Sequence, residues 1–307
     1  MPKDFVSLAD WSRDELAKML ARAAELKQLD ARGVRPQTLE GRTLAMFFEK
    51  PSLRTHVTFE AGMTQLGGHA LLLLPEQVGI GTRETAADVA RNLSRWVDGI
   101  VARTFRHELV EELAREASVP VINGLTDRLH PCQVMADLQT IAERGRLEDA
   151  VIAYVGDGNN VVNSLLYGAA LFGLELRVAT PEGHRPDDRV RKRAEEIAAR
   201  SGARLSFTSD PRQAVRGAGF VYTDVWTSMG QEAERELRRR VFAGYQVNAE
   251  LLALAPDAWV MHCLPAHRGE EITDEVLDGP RAIALDQAEN RLHSQKAILE
   301  QLLAHRG

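Results

Sequence analysis

Short apolar runs of strand length alternate with segments of helical periodicity almost from one end of this chain to the other. That order favours a parallel sheet with helices on both faces, because each crossover between parallel strands needs a helix-length connection. The spacing predicts strands at Thr43–Phe48, Ala70–Leu74, Gly99–Arg103 and Val119–Asn123. Helices are expected at Asp14–Gln28, Ala86–Arg95 and Gln133–Arg144, and Pro51–Leu66 reads as a loop running into a helix. Ser12 followed by Glu15 is a capping box for the first helix, whose inner face is Leu16, Met19, Leu20 and Ala23. A second series has strands at Val151–Val155, Glu175–Ala179, Arg204–Thr208, Gly219–Thr223, Trp259–His262 and Ala282–Leu285. Its helices are Val162–Phe172 and a last one at Ala288–Ala304. The charged stretch from Glu143 to Asp149 separates the two series. With 307 residues, two α/β domains with a ligand cleft between them are expected.

Composition narrows the function classes. A net charge of −6 and a pI of about 5.9 disfavour nucleic-acid and anionic-membrane surfaces, while leaving room for a local arginine pocket. Two cysteines are too few for a disulfide scaffold, no apolar run reaches membrane-spanning length, and the first residues do not read as a secretory signal. A cytoplasmic protein is the expectation.

Five polar motifs each follow a predicted strand, the edge at which open α/β sheets collect ligands. In Phe48–Gly62, a strand meets Pro51 and then Ser52-Leu53-Arg54-Thr55 opens a helix. Free N–H groups, two hydroxyls and a forked guanidinium suit a phosphate, although Ser52 or Thr55 can equally be a plain cap. In Leu129–Gln133, His130 and Gln133 can meet a carbonyl and an amide, or the segment can simply be Pro131 starting a helix. Val155–Ser164 has a glycine-rich turn, but the third glycine of a dinucleotide fingerprint is Val161 here and no acidic residue closes the next strand. Asn159, Asn160 and Asn163 better suit an amino acid's polar ends. Asp224–Glu232 and His262–Ile272 complete the set, with an acid and Ser228 for an amine and Cys263 beside a reacting centre. His262, His267, Glu270 and Glu271 also raise a metal site, but there is no H-E-x-x-H or C-x-x-C spacing, and none is expected. A Cys263–His262 nucleophile pair is disfavoured because successive strand residues point opposite ways.

The runs FEKPSLRTHVTFE, ARTFRH, HPCQ, DGNNVVNS, DVWTSMGQE, HCLPAHRGEE and AENRLHSQKA together resemble the ornithine carbamoyltransferases from end to end. The resemblance implies a carbamoyl-phosphate-binding domain over 1–146, an ornithine-binding domain over 147–287, and a last helix, 288–307, packing back on the first. It implies that Ser52, Leu53, Arg54, Thr55 and Arg103 cradle the phosphate, that His130 and Gln133 hold the carbamoyl group, and that Arg291 reaches the same place. Asn163, Asp224, Ser228 and Met229 would bind ornithine's α-amino and carboxylate ends, with Cys263 and Leu264 beside the attacking amine. Arg54, Arg103, His130 and Cys263 would be catalytic. Gln77 would reach a neighbouring subunit's site in a homotrimer or a multiple of one, working in arginine biosynthesis without cofactor or metal. Leu53 stands where Thr or Gly is more usual, His56 where Arg is commoner, and the 77–85 loop differs from the usual version. A transcarbamoylase for putrescine or an acylated ornithine, a nicotinamide-dependent dehydrogenase and a non-catalytic relative are the competing readings.

Overall fold

The structure is a computed structural model and describes residues 2–304 apart from Met229 and Gln231. It divides into two compact units, one of residues up to Gln139 together with those from Glu289 onward, the other Thr140–Ala288.

The first unit holds four parallel strands, β1 (Thr43–Phe48), β2 (His69–Leu73), β3 (Gly99–Arg103) and β4 (Val121–Leu125), in the order β2-β1-β3-β4. Its longer helices are α1 (Arg13–Ala31), α2 (Leu53–Gln65), α3 (Ala86–Leu93), α4 (His107–Glu116) and α5 (Pro131–Ala142). Both sides of β1 and β3 are buried, as in a sheet covered on two faces. On one side Ala45, Phe47, Ile100, Ala102 and Val121 pack with Ala86, Ala90, Leu109, Val110 and Leu113 of α3 and α4. On the other, a Cβ added to Gly99 would lie 2.9 Å from Leu303, so the last helix presses directly on β3.

The second unit has β5 (Val151–Val155), β6 (Glu175–Ala179), β7 (Arg204–Thr208), β8 (Phe220–Thr223) and β9 (Trp259–His262), all parallel, in the order β7-β6-β5-β8-β9. Its long helices are α6 (Asn160–Phe172) and α7 (Asp188–Ser201). One core joins Ala153, Val155, Val221 and Val260 to Trp226, Phe242, Tyr245 and Val276. The last helix, α8 (Ala284–Leu303), starts in this unit and ends in the first. No helix among the described residues is long and apolar enough to cross a membrane.

The two-sheet architecture agrees with the sequence, and so does the capping box: Ser12 Oγ accepts from Glu15 N at 3.3 Å while Glu15 returns a carboxylate oxygen to Ser12 N at 3.0 Å. On α1 the buried residues are Leu16, Met19, Ala23 and Leu26, with Leu20 only half-buried. The expected strand over Ala282–Leu285 is corrected. Only Ala282 bridges to Val260, and the helix begins at Ala284, leaving Leu285 79% exposed. The apolar run is a helix start whose last side chain faces water.

Candidate active site

In each parallel sheet the carboxyl ends of all strands share one edge, so the loops leaving them are neighbours. In the first unit, Glu49–Pro51 leave β1 and Ser52 caps α2, its Oγ accepting from Thr55 N at 3.2 Å. The plain capping reading is thus correct for that oxygen, and it leaves the hydroxyl hydrogen to donate outward. Leu53 is 73% exposed, Arg54 is half-buried and Thr55 is fully buried. The Thr55 hydroxyl accepts from Arg291 Nη2 at 3.0 Å and from Arg103 Nη1 at 3.4 Å. Two cations therefore turn that O–H toward any further acceptor.

Arg291, on α8, is buried, and its fork is spread over three acceptors: Thr55 Oγ1, Gln133 Oε1 at 2.7 Å and Gln295 Oε1 at 3.0 Å. Because a guanidinium only donates, Gln133 must present its oxygen to it. The Gln133 amide nitrogen then donates to Asp137 at 2.9 Å. His130 lies beside this group, buried among cations. Burial first, then Arg291, Arg103 and Arg54, hold its imidazole well below the ordinary histidine pKa. It is neutral at physiological pH. His56 Nε2 lies 3.0 Å from a carboxylate oxygen of Glu60 on its own helix. Gln77 is exposed, its Oε1 accepting from Leu74 N at 3.0 Å.

In the second unit, β5 runs into Gly156-Asp157-Gly158 and Asn159 caps α6. The second glycine serves chain packing: a Cβ at Gly158 would sit 2.2 Å from the Arg185 carbonyl carbon. That close approach explains the glycine pattern without a dinucleotide. Asn159 Nδ2 donates to Asp224 at 2.7 Å, and the Cys263 thiol donates to the other Asp224 oxygen at 2.9 Å. Asp224 ends β8 and Cys263 ends β9, so adjacent strands bring them together. Asn163 is buried, its side-chain oxygen accepting from Asp187 N at 3.1 Å. Ser228 is half-buried in the loop after β8, and Met229 lies outside the described residues.

A His262 ring nitrogen, a carboxylate oxygen of Asp224 and the Cys263 thiol lie within 4.8 Å of one another, but the ring is engaged elsewhere. Its Nδ1 accepts from Leu264 N at 2.8 Å, which leaves Nε2 to donate to Glu271 at 3.1 Å. Both ring nitrogens are used, so the Cys–His nucleophile pair does not form. Leu264 sits at a positive φ of 56°, a strained conformation for a branched residue, and that amide contact helps hold it.

Three residues outside the expected set, Asp137, Gln295 and Arg238, support these groups together with Asn159. Arg238 Nη1 donates to Asp157 and to the Trp226 carbonyl, both at 2.9 Å, tying the β5 turn to the loop that carries Ser228. Asp157 is itself pushed up by burial, against the lowering pull of Arg238 and His184.

Three histidines of the first unit resist protonation. Burial lowers His107 and His130, and lowers His293 to about 4. In the unfolded chain all three protonate near pH 6.5. Their contribution is complete above that pH and is lost as pH falls toward the folded values. The melting temperature should decline between about pH 6.5 and 4, and His293→Gln should flatten the decline. An unchanged profile in that variant would remove His293 from the explanation.

Residues 3–143 match the aspartate/ornithine carbamoyltransferase carbamoyl-P binding domain, and residues 148–302 match the corresponding Asp/Orn binding domain. An ornithine carbamoyltransferase of Symbiobacterium thermophilum is 55% identical over 304 residues, covering 98% of both chains. The solved ornithine carbamoyltransferase from Pyrococcus furiosus aligns with a TM-score of 0.96 at 49% identity, over 99% of this chain and 98% of that one. The structure from Thermus thermophilus gives 0.87 at 51% identity, over 99% of each. With two domain families matched in order and full-length relatives at this identity, the chain belongs to the aspartate/ornithine carbamoyltransferase family, on its ornithine branch.

Proposed function

We propose that the protein transfers the carbamoyl group of carbamoyl phosphate to the side-chain amine of L-ornithine, giving L-citrulline and phosphate. The observation that carries the acceptor half is Asp224, a buried carboxylate held by Asn159 and Cys263 at the carboxyl ends of adjacent strands. A cationic amine is the partner such a group selects. On the donor side, the α2 amino end with Ser52, Leu53, Arg54 and Thr55, together with Arg103, binds phosphate. Thr55 and neutral His130 serve the carbonyl oxygen, and the Gln133 oxygen, fixed by Arg291, accepts from the carbamoyl amide.

The attacking nitrogen forms a bond to the carbamoyl carbon, the carbon–oxygen bond to phosphate breaks, and the amine loses a proton. Charge builds on the carbonyl oxygen and the departing phosphate, where Arg54, Arg103 and the Thr55 hydroxyl stabilise it. Asn163, Ser228 and Met229 bind the α-amino acid end of ornithine, and Cys263 with Leu264 flank the attacking amine. Since a lysine-like amine has a pKa of about 10.4, kcat/KM for ornithine should rise with pH above neutrality. A flat profile would contradict attack by a neutral amine.

Asp224→Ala should raise the ornithine KM strongly while carbamoyl phosphate binding is retained; equal loss of both would count against a dedicated acceptor site. The reaction itself is tested by supplying carbamoyl phosphate with ornithine, acetylornithine, putrescine or aspartate in turn. Product with ornithine alone supports the proposal, and preference for another amine replaces the acceptor. We further propose a homotrimer, or a multiple of one, with Gln77 reaching a neighbouring copy; exposed Leu71, Leu72 and Leu74 beside it support this. Cys132 and Cys263, neither of them in a disulfide, suit a reducing cytoplasm, and the reaction suits arginine biosynthesis.

A further inference from the structure

The segment after β9 carries a group that the proposed reaction does not use. His267, Glu270 and Glu271 each offer a ligand atom, and these atoms lie within 4.8 Å of one another. Spacing of three and four residues around a tight turn at Gly269 brings them to one side. Glu270 is 4% exposed and Glu271 fully buried. Each has one oxygen already engaged. Glu270 Oε1 takes Arg235 at 2.5 Å and Arg239 at 3.5 Å. Glu271 Oε1 accepts from His262 Nε2 and from His267 N at 2.6 Å.

The second oxygen of each carboxylate, and Nδ1 of His267, are buried with no hydrogen-bond partner among the described residues. The Nδ1 and Glu270 Oε2 are 3.8 Å apart. Three buried polar atoms without a hydrogen-bond partner are costly in a protein interior, and a cation held by the three side chains relieves that cost. The two arginines offset part of the carboxylate charge, but they do so on the far oxygen and from half-exposed side chains that water screens.

We infer that His267, Glu270 and Glu271 form a binding site for a divalent first-row metal ion of the manganese type. One imidazole and two carboxylates suit such an ion, with water completing the shell on the half-exposed His267 side. Because Glu271 also receives His262, the ion would brace the turn that carries Cys263 and Leu264 from outside the substrate residues.

The test is Mn²⁺ titration of the purified full chain, read by loss of the free-ion electron paramagnetic resonance signal and by melting temperature. Manganese is the better probe because zinc would also compete for the Cys263 thiol. One saturable site is expected, with Mn²⁺ raising the melting temperature. His267→Ala and Glu270→Gln should each weaken binding at least tenfold and abolish that rise, while remaining folded without metal. Asp224→Ala should leave the isotherm unchanged. Absence of saturable binding, equal binding by both variants, or loss of binding in Asp224→Ala would each overturn the site. The readout is independent of ornithine carbamoylation, so it stands or falls apart from the proposed reaction.

Discussion

Arg54→Ala is expected to remove at least about 3 kcal/mol of transition-state stabilisation, roughly a 150-fold fall in kcat/KM, with the fold intact. Arg54 occupies the second position of α2, half-buried, directly after the exposed Leu53. Alanine is an excellent helix residue there, and the Ser52 cap on Thr55 N does not involve the lost side chain. What disappears is a guanidinium at the positive end of a helix, where bidentate contact with a phosphate is strongest. The loss should fall mainly on carbamoyl phosphate, and the His130 pKa should rise slightly because Arg54 is one of the charges that depress it. A variant with near-normal kcat/KM and an unfolding curve like the parent's would take Arg54 out of the phosphate site.

Arg291→Met carries the second large expectation, and here stability and activity fall together. The substitution keeps a long apolar stem but strands three acceptors: Thr55, Gln133 and Gln295. Hydrogen bonds to a charged group contribute about 1.5–3 kcal/mol each, though three on one side chain do not add fully. A net loss of at least about 3 kcal/mol is expected, lowering the melting temperature of that unit by roughly 10 °C. Gln133 would also lose the contact that fixes its amide orientation, so the carbamoyl side of the site loosens even in folded molecules. A specific signature separates this from general damage. Arg291 is the largest charge acting on His130, and its removal should move the His130 titration upward by NMR. A stable, active variant with an unmoved His130 would contradict the arrangement.

Much of the fold is readable in one dimension because buried strands advertise themselves. Thr43–Phe48, Gly99–Arg103, Val151–Val155, Glu175–Ala179, Arg204–Thr208 and Trp259–His262 all have the bounds expected of them. The expectation at Val119–Asn123 runs two residues early: Pro120 cannot donate to a ladder, and β4 starts at Val121. Helix α7 carries so many charges that its inner face reduces to Val190, Ala194 and Ala198. No helix is expected there from the sequence, although Asp187 caps it and Gly202 ends it. The motifs after each strand are local and therefore visible. Their supports are not. Arg238 reaches Asp157 across 81 positions, and Arg291 reaches Gln133 across 158. No spacing rule links residues that far apart; only the folded sheet order does.

The path of α8 has a consequence for how this protein is made. Residues up to Gln139 supply Thr55 and Gln133, yet the guanidinium that orients both arrives on a helix whose first turn belongs to the other unit. During synthesis the earlier strands precede both Arg291 and the Leu303 side chain that covers β3 at Gly99. The middle of the chain can complete its own sheet while the beginning waits. The unit encoded first is thus the one whose Thr55 and Gln133 wait on the last part of the chain for the guanidinium that orients them.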